Sequence, residues 1–471
     1  MNVRFDPELP GTRALIAGAA RSGLAAARLL RRAGLAPTVC DSRRAAEAPE
    51  AARALADHGI ETAWGSDGPE LLEGHDFVVW SPGIAIAHPL ARAARLAGVP
   101  VLSELEVAWR ASRAPFVCIT GTNGKSTTTD LAGALLRAGG RVAEVCGNIG
   151  RPACDVAPDL PANGVAVAEV SSFQLETVDR LKPRVAALLN LTPDHLDRHG
   201  DFGTYAALKR RLFLRQDADD VAVWNADDAE VMRRRIPEGI PTAPRALEFS
   251  VEGPVPRGAW IEDSAVMIGE PARRQRLLNA AELRLRGRHN LANVTAALCC
   301  AQPFDVPLAA LAQALRAYPG LEHRLESAGV VEGVEFVNDS KATNTGSLAV
   351  ALESFEDRVV LIAGGRGKGQ DFRPLADLVR HKTACAILIG EDAARIAEAW
   401  NDTRTITVPA LETAVDAAFL QATLPGPGVP RSHTVLFSPG CASFDMFRDF
   451  EDRGRRFKAE VERLARAGVI S

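Results

Sequence analysis

Phe116-Val117-Cys118-Ile119-Thr120-Gly121-Thr122-Asn123-Gly124-Lys125-Ser126-Thr127 runs from an apolar segment straight into a glycine loop. Thr128 to Arg137 follows with helical character, so the order is strand, loop, helix. Glycines allow backbone N–H groups to turn onto phosphate oxygens, and the helix N-terminus adds partial positive charge. Lys125 can reach terminal phosphates, and a Ser126 or Thr127 hydroxyl can ligate Mg²⁺. The long form of this motif has a glycine six residues before the lysine. Here that position is Ile119, which leaves the short G-x-x-G-K-S-T form. The competing reading is a tight strand–helix turn with a surface lysine.

In an open parallel sheet, ligands sit beyond the carboxyl ends of the strands. The strand candidate Gly164–Ala168 is followed by Glu169, Val170, Ser171, Ser172, Phe173 and Gln174. Val185–Leu189 leads into Asn190-Leu191-Thr192-Pro193-Asp194-His195-Leu196-Asp197, and Val221–Trp224 into Asn225-Ala226-Asp227-Asp228. All three turns are expected on the edge that carries the glycine loop. Glu169 is a hard oxygen donor suited to Mg²⁺, and His195 suits a second cation or an anionic substrate. Singly, each acid reads better as a helix cap or a solvated group; together on one edge beside a phosphate loop they point to function. Lys209 lies in a helical stretch, Tyr205–Leu214, beside Arg210 and Arg211, and by composition belongs to a solvated face.

The flanking blocks repeat the strand–turn–helix alternation, which predicts α/β domains with parallel sheets. Three blocks are expected: residues 1–103, 104–318 and 319–471. In the first, Arg13–Ala17 reads as a strand, Gly18–Gly23 as a turn and Leu24–Ala33 as a helix. Ala20 stands where the dinucleotide fingerprint needs its second glycine. Asp41 and the Ser81-Pro82-Gly83-Ile84 turn share that edge, leaving a nucleotide-shaped ligand and a purely structural Rossmann-like domain both open. In the middle block, Pro237 to Pro271 reads as short antiparallel strands and Gly287–Ala301 as helix. In the last, Asn338–Asn344, Gly364–Gly369 and Ser438–Ser443 each follow a strand candidate. Lys341, Lys368, Thr343 and Ser443 offer cations and hydroxyls suited to a small dicarboxylate. Arg324 suits phosphate contact.

Composition excludes several alternatives. The 471 residues carry 55 Lys+Arg against 59 Asp+Glu, a net charge of −4, which is wrong for a general nucleic-acid binder. The 47% apolar and 24% charged fractions suit globular domains. No apolar run is long enough to span a bilayer, and Met1–Gly11 lacks a signal-like core. The 8 cysteines show no C-x-x-C spacing, so neither a zinc knuckle nor a disulfide framework is indicated and a cytoplasmic setting is expected.

Taken together, the motifs resemble those of the Mur ligases along the whole chain. They are Ser81–Ile84, Gly121–Thr127, Gly147–Gly150, Glu169–Gln174, Asn190–Arg198, Asn225–Asp228, Arg288–Asn293 and Glu322–Arg324. Asn338–Asn344 and Ser438–Asp445 look like the branch that adds D-glutamate, since sister ligases typically carry a Tyr-containing loop at the former. The resemblance implies a Rossmann-like N-terminal domain, a P-loop ATPase centre with a mainly parallel sheet and a Rossmann-like C-terminal domain. It implies ATP-driven joining of D-glutamate to UDP-N-acetylmuramoyl-L-alanine through an acyl phosphate, a cytoplasmic step of peptidoglycan synthesis, by a monomer without nucleic-acid or membrane partners.

Residue by residue, the resemblance puts Asp41, Ser42, Arg43, Ser81, Gly83, Asn148, Ser171, Gln174 and His195 on the UDP substrate. It puts Gly121–Thr127, Asn293, Arg324 and Asp339 on ATP, and Lys341, Thr343, Lys368, Ser443 and Phe450 on glutamate. Two Mg²⁺ ions would be held by Ser126, Thr127, Glu169, His195 and an N-carboxylated Lys209, with Lys125, Glu169, His195 and Lys209 as the catalytic set. The nearest alternatives are an L-glutamate-adding Mur ligase and a folylpolyglutamate synthetase. The latter family lacks a UDP-binding domain like that around Ser81. A non-catalytic nucleotide-binding scaffold is the alternative from another class, and the joint presence of the four catalytic candidates speaks against it.

Overall fold

The computed structural model describes residues 3–236, 243–423 and 432–468. Its strands form three sheets. The first comprises β1 (Arg13–Ala17), β2 (Ala36–Asp41), β3 (Glu61–Trp64), β4 (Phe77–Trp80) and β5 (Val101–Ser103), ordered β3-β2-β1-β4-β5 and wholly parallel. Strand order reverses between β1 and β4, and a crevice opens at such a switch point. The turns at Gly18 and Ser81 flank it.

The second sheet contains β6 (Phe116–Thr120), β7 (Ala143–Gly147), β8 (Val165–Glu169), β9 (Val185–Leu188), β10 (Val221–Asn225), β11 (Arg245–Ser250), β12 (Gly258–Glu262), β13 (Ala265–Gly269) and β14 (Gln275–Asn279). Its order is β14-β13-β12-β11-β10-β9-β6-β8-β7. The glycine loop's strand β6 is therefore flanked by β8, which ends on Glu169, and by β9, which leads to His195. β6, β8 and β9 are buried along their whole length, as strands covered by helices on both faces must be. The antiparallel pairing expected between Pro237 and Pro271 occurs only at β12–β13, with β13–β14 continuing it. β11 instead runs parallel to β10, because the helix Ala229–Arg234 carries the chain back in a crossover. Residues 237–242 of that stretch lie outside the described ones.

The third sheet is built from β15 (Glu326–Val331), β16 (Val334–Asn338), β17 (Val359–Gly364), β18 (Thr383–Ile389), β19 (Thr405–Thr407) and β20 (Thr434–Phe437), ordered β15-β16-β20-β17-β18-β19. Only β15 is antiparallel to its neighbour.

The chain divides into two compact units. Met1–Leu283 with His289–Tyr318 forms one, and Arg284–Arg288 with Pro319–Ser471 the other. The first unit holds the first two sheets because one apolar cluster runs through them. It passes from Ala14 and Leu29 through Leu105 and Ala108, on the helix Glu104–Ala111, to Cys118 and Ala168. In the second unit, separate apolar clusters cover the two faces of its sheet.

The helices agree with the sequence pattern to within a few residues: Arg21–Arg32, Lys125–Ala138 and Arg288–Ala301. Lys209 departs from its composition. The helix Phe202–Arg210 turns Tyr205, Ala206 and Lys209 inward, so this lysine is buried rather than solvated. All eight cysteines are free and buried. Among the described residues no helix is long and apolar enough to cross a membrane.

Candidate functional site

The glycine loop closes over the end of β6 in a conformation that glycine alone accommodates well. Gly124 has φ +81°, and a Cβ there would lie 2.4 Å from Asn293 Oδ1. Asn293 is itself fixed, its Oδ1 accepting from Thr128 Oγ1 (3.2 Å) and its amide donating to Asn290 Oδ1 (3.0 Å). On the other side Asn190 clamps the loop, its Oδ1 accepting from Asn123 N (2.8 Å) and its Nδ2 donating to Asn123 O (3.1 Å). Thr122 Oγ1 accepts from Thr192 N (3.1 Å) and shares a hydrogen bond with the Tyr205 hydroxyl (3.0 Å). The loop is thus held before any ligand arrives, and little ordering remains to oppose phosphate binding.

Two lysine side chains converge on one oxygen of this loop. Lys125 Nζ donates to Gly121 O (2.9 Å) and Thr122 O (2.7 Å), and Lys209 Nζ also donates to Gly121 O (2.9 Å). Burial, and then the charge of Lys125, bring Lys209 down to about 7, against the opposing pull of Asp194 and Glu169. A large share of Lys209 is therefore a neutral amine at neutral pH, which is the form that acts as a nucleophile or ligand.

Glu169 is buried at the end of β8. Its Oε1 accepts from Asn148 Nδ2 (2.7 Å), and its main-chain carbonyl from Asn148 N (2.9 Å). Among the described residues no donor reaches the buried Oε2. A buried carboxylate oxygen left unpaired beside a phosphate loop suits a hard divalent cation. The buried Ser126 and Thr127 begin the helix over the same edge.

His195 is in the left-handed conformation (φ 52°), with its ring against Phe173 (centroids 4.8 Å apart) and its backbone N–H donating to Asp194 Oδ1 (2.9 Å). Asp194 and Asp197 do not cap the next long helix; Asp201 does, accepting from Thr204 N (2.8 Å). Ser171 and Gln174 pair in a capping box, with Gln174 Oε1 accepting from Ser171 N (2.9 Å). Asp228 accepts from Leu191 N (2.9 Å), and Asn225 donates to Leu189 O (2.7 Å), so the turn after β10 shapes the exit from β9.

On the first sheet the expected residues meet at the switch point. Asp41 Oδ2 accepts from Ala19 N (2.8 Å) and Arg43 (2.8 Å), and Oδ1 from the Arg43 backbone (3.0 Å). The Arg43 guanidinium holds the Asp41 carboxyl down at about 2 despite burial. Ser81 lies across from Gly18, where a Cβ would sit 3.0 Å from Ser81 Cβ.

The second unit gathers the three polar turns because β16, β20 and β17 are neighbours. Gly440 N donates to Ala342 O (2.9 Å), and Arg366 and Ala442 exchange backbone hydrogen bonds. The buried Arg453 donates to Ser340 O (2.7 Å) and Cys441 O (3.0 Å), bracing the turns that carry Lys341, Thr343 and Ser443. Lys341 lies over the Phe450 ring (5.1 Å) and Lys368 over Phe444 (5.5 Å). Asp339 accepts from Ser438 Oγ (2.8 Å) and, more weakly, from Leu325 N (3.3 Å), with burial pushing it up to about 7. Arg324 precedes Leu325 in the chain and favours the Asp339 carboxylate electrostatically.

Family comparison covers nearly all of this. Residues 12–103 match the Mur ligase MurD-like N-terminal domain, 119–301 the Mur ligase middle domain and 323–441 the Mur ligase glutamate ligase domain. The chain belongs to the Mur ligase family. This Mur ligase is 44% identical over 476 residues to the UDP-N-acetylmuramoylalanine–D-glutamate ligase of Anaeromyxobacter dehalogenans, covering 98% of this chain and 99% of that one. It is 42% identical to the enzyme of the same name from Myxococcus xanthus, covering 97% and 99%. Its fold is similar to that of the UDP-N-acetylmuramate-alanine ligase of Thermotoga maritima, with TM-score 0.57, 17% identity and coverage of 97% and 99%. The pseudomurein peptide ligase type C of Methanothermus fervidus is comparable, with TM-score 0.56, 17% identity and coverage of 96% and 100%.

In this Mur ligase several site residues escape the sequence motifs as functional choices. Asn190 and Tyr205 hold the phosphate loop; Asn148, expected on the UDP substrate, also holds Glu169. Asn190 had a usable signal, standing directly after a strand beside β6. Arg453 lay in a basic helical run, Arg453 to Arg456, with nothing to mark it as buried.

Proposed function

We propose that this chain joins D-glutamate to UDP-N-acetylmuramoylalanine using ATP, with residues 1–103 serving the UDP substrate, 104–318 ATP and 319–471 glutamate. The observation that carries the reading is the preformed phosphate loop flanked by the Glu169 and His195 edges, in a chain whose full-length relatives bear that name.

A carboxylate is a poor acyl donor because its leaving group would be oxide. Attack of a carboxylate oxygen on the γ-phosphorus of ATP gives an acyl phosphate and ADP. The glutamate amine then attacks the acyl carbon, loses a proton, and the tetrahedral intermediate expels phosphate. Such phosphoryl transfer needs positioning and charge neutralisation above all. Lys125, now on the Gly121 and Thr122 carbonyls, turns to the terminal phosphates. The loop N–H groups from Gly121 to Thr127 cradle them, with Asn293 behind Gly124. Ser126, Thr127, Glu169, His195 and a carboxylated Lys209 would hold Mg²⁺, which supplies positive charge at the phosphates when bound. Asp41, Ser42, Arg43, Ser81 and Gly83 orient the UDP moiety, and Asn148, Ser171, Gln174 and His195 its muramoyl end. Lys341, Thr343, Lys368, Ser443 and Phe450 take glutamate, the cations pairing with its carboxylates.

Phosphate release is the test. With ATP and UDP-N-acetylmuramoyl-L-alanine, D-glutamate is expected to support release. L-Glutamate should fall below it by roughly a hundredfold, the scale set by leaving one buried charged group unpaired. Equal release with either enantiomer, or release independent of the UDP substrate, would overturn the reading.

A further inference from the structure

Arg198 joins two parts of the first unit that the family motifs treat separately. Its guanidinium donates to both oxygens of Glu176, Nε to Oε1 (3.1 Å) and Nη2 to Oε2 (2.6 Å). It also donates to Pro82 O and Ile84 O, each at 2.9 Å. Its Cζ lies over the Phe173 ring, 4.2 Å from the centroid. The Ile84 carbonyl accepts from Trp80 Nε1 as well (2.9 Å), so the turn after β4 is fixed at the oxygen Arg198 uses. This is no solvated pair: the side chains are 15% and 4% exposed.

The packing continues inward. The Phe173 ring lies on His195 (4.8 Å) and His199 (5.4 Å). His199 is buried, with Nε2 hydrogen-bonded to Ser172 Oγ (3.0 Å), and its ring lies 5.7 Å from Tyr205. Tyr205 reaches Thr122 of the phosphate loop (3.0 Å).

We propose that Arg198, locked by Glu176, is a positioning residue that registers the Ser81–Ile84 turn against the His195 segment, so that UDP-substrate binding and the phosphate loop are coupled through Phe173, His199 and Tyr205. The inference rests on the proposed use of Ser81 and Gly83 for the UDP substrate. Arginine is specifically required, because one planar fork satisfies a carboxylate, two carbonyls and a ring face at once. A lysine ammonium reaches only part of that set.

Calorimetric titration of UDP-N-acetylmuramoyl-L-alanine into wild type, Arg198→Lys and Glu176→Gln tests it without turnover. A non-hydrolysable ATP analogue is titrated in parallel, alone and with the UDP ligand present. Arg198→Lys is expected to weaken the UDP ligand by about tenfold and to abolish any mutual enhancement between the two ligands. The affinity for the ATP analogue alone should stay within about twofold, which a general loss of structure would not allow. Glu176→Gln keeps the side-chain volume and should act in the same direction by about threefold, deciding the matter if the lysine variant does not fold. UDP-ligand affinity unchanged in both folded variants would overturn the proposal. A wild-type protein that binds no UDP ligand would instead overturn the assignment of function beneath it.

Discussion

Lys125→Ala is expected to lower kcat by at least roughly 10²–10³-fold, the cost of removing one preorganised charge donor from a transition state. Phosphoryl transfer spreads negative charge over the γ-phosphoryl oxygens as the bond to ADP breaks, and Lys125 is the side chain of the glycine loop able to meet it. The substitution removes the hydrogen bonds of Lys125 to the Gly121 and Thr122 carbonyls, but Asn190, Asn293 and Tyr205 still hold the loop through other residues. Folding should therefore be nearly unchanged, which thermal unfolding would verify alongside the steady-state rate. The change has a second consequence. The charge of Lys125 helps to depress Lys209, so its removal lets the Lys209 ammonium persist to higher pH. Near-normal turnover of this variant would refute the assignment of the loop.

Lys209→Ala is the other large effect. Burial and Lys125 bring Lys209 to about 7, so the neutral amine is available to attack the carbon of CO₂, lose a proton and become an anionic carbamate. An ammonium would repel a divalent cation, whereas a carbamate supplies oxygen ligands to it. The sign with pH follows from the depressed value. Below about 7 the amine is protonated, so a carbamate would be lost there, and above it loading would rise with bicarbonate. The alanine variant is expected to lose on the order of 10²-fold in kcat. Acetate or formate should restore part of it by placing a carboxylate in the vacated space, and any rescue by bicarbonate should be matched by these acids. The same acids should do nothing for Lys125→Ala. A Lys209→Ala enzyme indifferent to short-chain acids would remove the support for carboxylation.

These two lysines show what was legible in the sequence. Lys125 stands in a pattern whose spacing carries its own geometry: a strand, two glycines with positive φ, and a helix start. The turns beside it were legible for the same reason, because strand ends in a parallel sheet define one edge, and β8, β6 and β9 do lie side by side. Lys209 was not, since a run of Lys209, Arg210 and Arg211 looks solvated whichever way the helix faces. Only the packing of Tyr205 and Ala206 fixes that phase, and the family resemblance supplied what composition could not. The parallel course of β11 was hidden because the helix Ala229–Arg234 that reverses the chain is short. Arg198 was invisible as a bridge, because its acceptors Pro82 and Ile84 lie 116 and 114 residues away, and no local pattern encodes that approach.

The most direct measurement of the central claim follows an isotope. UDP-N-acetylmuramoyl-L-alanine labelled with ¹⁸O in both terminal carboxylate oxygens would be turned over with ATP and D-glutamate, and the products analysed by mass spectrometry. Activation by γ-phosphoryl transfer predicts one labelled oxygen in each inorganic phosphate released and the other in the new amide carbonyl, with ADP unlabelled. Unlabelled phosphate, or label appearing in AMP, would contradict the account.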